Sequence, residues 1–196
     1  MRPISDADAI NLTLQAAEFD PALAEYQAAK SSGPLKLSDL EGDPCSVDTL
    51  AEVKRLAFER GYNRDWVRPG GASRDQDLSV GSYVEVYPDA NAAQAKLDFD
   101  KTSVVAPLPA NCDVKIQSSS TFDVTPAVGE GAFGYRKAMA GDAGALNTYT
   151  WVEFRRGRII ASTDVIREDS RDTSAETGRY AELLDAHILR SLSAPY

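Results

Sequence analysis

Histidine is nearly missing from this 196-residue chain, with His187 as the single example. A Ser-His-Asp or Cys-His nucleophilic centre would have to be built on that one residue and would need a positioned partner. His187 falls between Leu184 and Ile188 in a helix-like run, where packing is the expected role. Cysteine is almost as scarce: Cys45 and Cys112 stand alone, 67 positions apart (112 − 45). No CxxC occurs, which excludes a local zinc or dithiol motif. An even count fits one long-range disulfide, worth about 4 kcal/mol on the chain-entropy model; two separate buried thiols are the alternative. No run approaches the roughly 20 apolar residues of a membrane-spanning helix. The opening stretch "MRPISDADAINLTLQ" lacks a basic segment followed by an apolar one, as a secretory leader has. A cytoplasmic chain and an extracytoplasmic one processed from a longer precursor both fit. Positive charge is also in deficit, 21 Lys and Arg against 30 Asp and Glu, for a net charge of −9 and a pI near 4.7. Such a surface repels phosphate backbones, so nucleic-acid partners and anionic lipid surfaces are disfavoured.

What is present reads as ordinary globular composition, 43% hydrophobic, at a length that suits a single domain spanning 1–196. Ser5 caps a short helix from Asp6, with Asp8 in the capping-box position. Residues 28–44 read as loop. Residues 46–62 read as a helix with Leu50, Val53 and Ala57 on its apolar face and Gly61 at its C-cap. Trp66 and Val67 open a strand, followed by polar loop to Asp77. Residues 79–89 alternate as a strand ending at Pro88-Asp89, and Asp89 caps a helix over 90–102 with Ala93 and Leu97 inward. Two short strands are expected after Cys112, another over 129–138, and then flexible loop. Residues 146–167 form a hairpin. Its turn is either Arg156-Gly157, which pairs Phe154 with Ile159, or a three-residue loop one register on. Both put Val152 and Phe154 on one face and Tyr149 and Trp151 on the other. A long amphipathic helix over 173–192 closes the chain. The expectation is an α+β fold: a single twisted, mainly antiparallel sheet with helices packed on one face.

Few residues stand out for chemistry. Gly129, Gly131 and Gly134 match GxGxxG, but no βαβ series surrounds them, so a β-turn and bulge is the better reading. Carboxylates are plentiful (Asp98, Asp100, Glu153, Asp164, Glu168, Asp169), and nothing in their spacing singles out an acid–base pair. No metal ligand set and no cofactor motif is found. The aromatics Trp66, Tyr83, Tyr87, Tyr135, Tyr149 and Trp151 can line a concave pocket on the sheet or pack a second core face. Arg155, Arg156 and Arg158 form the local basic cluster. It could grip an anion, but charged residues at a hairpin tip more often keep it solvated.

The stretches "VGSYVEVYPDANAAQAKL", "VGEGAFGYR" and "YTWVEFRRGRIIASTDV", closed by the terminal helix, resemble uncharacterised bacterial lipoprotein and surface-anchored domains, some of PsbP-like α+β type. The resemblance implies secretion, supports pairing of Cys45 with Cys112, and supplies no catalytic residues. Together these readings favour a non-catalytic extracytoplasmic module that binds a protein partner or a small ligand and is held, if anchored, by a lipid or peptide outside this chain. Tyr135, Tyr149, Trp151 and the three arginines are its candidate contacts. An apolar-ligand or lipid carrier using the aromatic face is the alternative, and a carboxylate- or metal-dependent hydrolase is a third reading.

Overall fold

A computed structural model of the chain describes residues 3–41, 43–68, 77–112, 114–140 and 146–193. The expected loops at 68–77 and 138–145 lie largely outside these residues.

The chain opens with α1 (Asp6–Asn11), capped by Ser5 and Asp8 in a reciprocal capping box, then α2 (Ala16–Phe19) and a 3-10 turn at Pro21–Leu23. The stretch expected as loop holds three small elements: β1 (Gln27–Ala28), β2 (Gly33–Pro34) and α3 (Leu37–Leu40). Next come α4 (Val47–Arg55), β3 (Arg60–Val67), β4 (Asp77–Val86), α5 (Ala90–Ser103), β5 (Ile116–Phe122), β6 (Ala132–Ala140), β7 (Leu146–Arg156), β8 (Ile159–Arg167) and α6 (Ser174–Ser193). The strands form one eight-stranded sheet of order β1-β3-β4-β8-β7-β6-β5, with β2 also on β3 and every pairing antiparallel. The α+β class and the long C-terminal helix are as expected.

Alternation along the central strands sorts their side chains onto two faces. Val80, Val84, Val152, Phe154, Ile159, Ala161 and Val165 face α6, where Tyr180, Ala181, Leu184 and Ile188 complete the main core with the N-terminal helices. The threonines of this face are not orphaned. Thr150 Oγ1 accepts from Thr173 at 2.7 Å, and Thr163 Oγ1 donates to the Thr177 carbonyl at 3.1 Å. Trp66 belongs here too, its indole donating to the Leu14 carbonyl at 3.1 Å. The opposite face carries Tyr83, Glu85, Tyr87, Phe133, Tyr135, Trp151, Glu153 and Asp164. Helices lie on this side as well: Ala93 and Leu97 of α5 and Leu56 after α4 pack on Tyr87, Phe133 and Ile160.

Two local expectations are revised. The helix over 46–62 stops at Arg55, because Ala57 takes the left-handed conformation (φ 54°) that ends it. Gly61, expected as the cap, lies inside β3, where an added Cβ would come within 2.5 Å of the Val84 carbonyl. At the β7–β8 hairpin, Arg156 pairs with Ile159 and Phe154 with Ala161, so the loop is Gly157-Arg158. Gly157 has φ 58° and Arg158 does not. Positive φ at the first loop residue alone is what a type II′ turn requires of glycine. This register is two residues on from the Arg156-Gly157 turn. An even shift leaves every side chain on its face, so the division into core and outer residues is unchanged.

Candidate functional site

The half-covered outer face forms a cleft of about 280 Å3 between α4, α5 and the sheet. Its lining includes Asp48 and Thr49 of α4, Lys96 and Asp100 of α5, Glu85 of β4, Tyr135 and Lys137 of β6, and Trp151 and Glu153 of β7. The segment after α5, with Pro107, Leu108 and Pro109, forms one lip. Cys45, just before α4, is disulfide-bonded to Cys112 beyond that lip. The long-range pairing thus ties together the two segments that frame the opening.

The floor is a buried charge cluster. Lys96 is 4% exposed and makes an ion pair with Asp100, one helical turn on, where i and i+4 side chains meet. Glu85 Oε2 lies 3.7 Å from the same ammonium and accepts from the Tyr87 hydroxyl at 2.6 Å. Burial pulls the Lys96 pKa down, but Glu85, Asp100 and Glu153 outweigh it and the net direction is up. Glu153 is 7% exposed, lines the cleft with Asp100, and has no hydrogen-bond partner for its Oε1 among the described residues. Burial, then repulsion from Asp100, pushes its pKa well above the ordinary carboxylate range. Asp100 is raised as well, by burial chiefly and then by Glu85, against the lowering pull of Lys96. Burial and mutual repulsion both favour the protonated form in this pair over two separate carboxylates.

An aromatic wall rises beside this floor. Tyr135 and Trp151 are cross-strand partners with rings stacked at 6.0 Å, and Tyr83 lies 4.7 Å beyond Trp151. Lys137 holds its ammonium 5.3 Å from the centre of the Tyr135 ring. Further along, Asp164 pairs across the strands with Trp151 and packs over Gly81, which leaves no space for a side chain there. Trp151 Nε1 and Asp164 Oδ1 have no partners among the described residues. Burial, then Asp65, holds Asp164 well above its ordinary pKa.

The expected contact residues separate. Tyr135 and Trp151 line the cleft together. Tyr149 shares their face two positions from Trp151 and is half-buried. The three arginines diverge. Arg155 binds Gln94 at 2.9 Å and Glu130 at 2.6 Å. Arg156 turns to α6 and grips Asp185 through two bonds of 2.9 and 2.6 Å. Arg158 reaches Glu59 at 2.9 Å and the Tyr87 carbonyl at 3.1 Å. His187 bridges α6 to the N-terminal helices through Glu18 and the Asn11 carbonyl. Of the glycine series, Gly129 (φ 63°) and Gly131 (φ 145°) shape the approach to β6. The cluster of Glu85, Lys96, Asp100 and Glu153 is what the sequence reading did not single out. Its signals were the i, i+4 lysine and aspartate of α5, and a glutamate on the aromatic side of β7.

Among the described residues no group of three or more His, Cys, Asp or Glu is arranged to hold a metal ion, and no helix is long and apolar enough to cross a membrane. No family model and no curated protein matches the chain. Among solved structures, the chain is similar to the extracellular domain of PknH from Mycobacterium tuberculosis, with a TM-score of 0.64 and 11% identity over 96% of this chain and 98% of that one. At that identity the two share a fold.

Proposed function

We propose that the chain is a non-catalytic extracytoplasmic module that binds a small ligand in the cleft between α4, α5 and the sheet. The observation that carries this reading is the floor of the cleft, where a buried carboxyl oxygen of Glu153 lacks a partner among the described residues, beside two stacked rings. Buried polar atoms are ordinarily paired, so an orphan in a cleft wall marks a place for a donor from outside. The disulfide supports the compartment, since such bonds persist in oxidising surroundings. The shared fold with a bacterial extracellular domain supports it too. The PsbP-like part of the resemblance carries none of this argument.

An acyl chain suits the cleft less well than a polar ligand. It would cover Glu85, Lys96, Asp100 and Glu153 without offering them a hydrogen bond. Hydrolysis by a carboxylate pair is also disfavoured. Asp100 is held in an ion pair with Lys96, and burial favours the neutral form of Glu153, so neither is a free ionised carboxylate able to act as nucleophile or base. Contacts are assigned to Tyr135 and Trp151; Arg155, Arg156 and Arg158 are already held in ion pairs.

Thermal unfolding of the full chain against a panel of small sugars, amino acids and amines tests this reading. A saturable rise in Tm that Trp151→Ala removes is the expected result. No shift from any compound, or a shift indifferent to Trp151→Ala, would overturn it. Mass measurement of natively produced protein without reductant checks the compartment: two free thiols in secreted material would sink that part.

A further inference from the structure

We propose that the floor of the cleft receives a primary ammonium group, so that the ligand of this module is an amine. The inference rests on the ligand-binding reading and names its chemistry. Two things are missing at the floor, and an ammonium supplies both. The first is a hydrogen-bond donor for Glu153 Oε1, which is buried and has no partner among the described residues. The second is positive charge. Asp48, Glu85, Asp100 and Glu153 line the cleft against Lys96 and Lys137, an excess of two acidic groups (4 − 2), or of one negative charge (3 − 2) while Glu153 holds a proton. Lys96 forms its ion pairs with Asp100 and Glu85, and among the described residues none joins it to Glu153.

The cleft around Glu153 is lined from several elements. Lys96 and Asp100 belong to α5, Glu85 to β4 with Tyr87 just after it, Tyr135 and Lys137 to β6 and Asp48 to the α4 rim, while Ser162 of β8 is the cross-strand partner of Glu153. The wall is suited to a cation, because aromatic faces attract one. Lys137 already demonstrates this by resting its own ammonium over Tyr135. A hydroxyl ligand would supply the donor but not the charge.

Binding is coupled to a proton. Burial and the neighbouring Asp100 favour the protonated form of Glu153 in the empty cleft. When R–NH3+ docks on Glu153, the carboxyl ionises, its proton passes to solvent, and the ligand keeps all three of its own. Amine affinity therefore rises with pH, by at most tenfold per unit for one proton released.

The test is titration calorimetry of the full chain with matched pairs: ethanolamine and ethylene glycol, putrescine and 1,4-butanediol, glucosamine and glucose. At least one amine is expected to bind tenfold or more tighter than its hydroxyl partner. Its apparent heat should vary between buffers of different ionisation enthalpy, reporting proton release. Glu153→Gln keeps an acceptor oxygen but cannot ionise, and should lose about tenfold in amine affinity together with the pH slope. If that variant fails to fold, Asp48→Asn at the exposed rim should weaken amine binding two- to threefold, more strongly at low salt. Equal affinity for amines and hydroxyls, or amine binding unchanged in the variant used, overturns the inference. Hydroxyl binding abolished by Trp151→Ala, with no amine preference, removes the ammonium and leaves the cleft; no binding by any pair removes both.

Discussion

Replacing Lys96 with Met tests whether the floor of the cleft is a coupled charge cluster. Lys96 is 4% exposed and is the cation shared by Asp100 and Glu85. Methionine keeps most of the side-chain volume, so the loss is electrostatic rather than a cavity. Removing one partner of a buried pair costs about 3–5 kcal/mol, because the other charge stays buried and uncompensated. For a chain of this size each kcal/mol lowers Tm by about 2–4 °C, which gives a fall of roughly 6–20 °C at neutral pH. The cluster has an escape: Asp100 can take up a proton. Its folded pKa is raised, and loss of Lys96 raises it further. A raised pKa favours folding most at low pH, and that contribution is lost as pH rises through the folded value. The deficit of the variant against the parent should therefore shrink as pH falls, by about 1.4 kcal/mol per unit for one proton, down to the unfolded pKa near 4. Urea unfolding at pH 7.5, 6.5 and 5.5, followed by circular dichroism, measures both quantities. A deficit below about 1 kcal/mol at pH 7.5, or one independent of pH, refutes the coupled cluster.

Three further outcomes follow from the same physics. Glu153→Gln removes a carboxyl whose folded pKa lies above its ordinary 4.5, so the stability of the variant relative to the parent should increase as pH rises above that value; chemical denaturation across pH 4.5–7.5 would show a flat difference if the reading is mistaken. Replacing Cys45 and Cys112 together with Ser reopens a loop of separation 67, and should cost about 4 kcal/mol, with a fall in Tm on the order of 10 °C by calorimetry; an unchanged Tm would show that the bond does not constrain the unfolded chain. Ala57 holds a left-handed φ of 54°. Ala57→Gly should stabilise by up to about 1 kcal/mol, since glycine carries no Cβ penalty there, and a loss of stability in urea unfolding would contradict it.

Most of the framework could be read locally. Caps at Ser5 and Asp89, alternation in β4, β7 and β8, and the spacing of Tyr180, Leu184 and Ile188 each depend on a few neighbouring residues. Local sequence is ambiguous where two local solutions have similar energy. Gly61 looks like a helix cap until β4 pairs beside it and requires a residue without Cβ. The hairpin at Gly157 admits several loops, and the pairing of Phe154 with Ala161 decides among them.

The candidate site was illegible for a different reason. Glu85, Lys96, Asp100 and Glu153 come from two strands and one helix, and each taken alone is an unremarkable surface charge in sequence. What turns them into a site is α5 crossing the outer face of the sheet, which takes them out of water together and makes their protonation interdependent. Sequence by itself determined the elements, the sorting of β7 and β8 into two faces, and the cysteines able to pair, because these follow from backbone sterics, periodicity and count. Only the tertiary structure decided which carboxylates meet, which arginines are already occupied, and where a buried oxygen is left without a donor, because those depend on distances between residues remote in the chain.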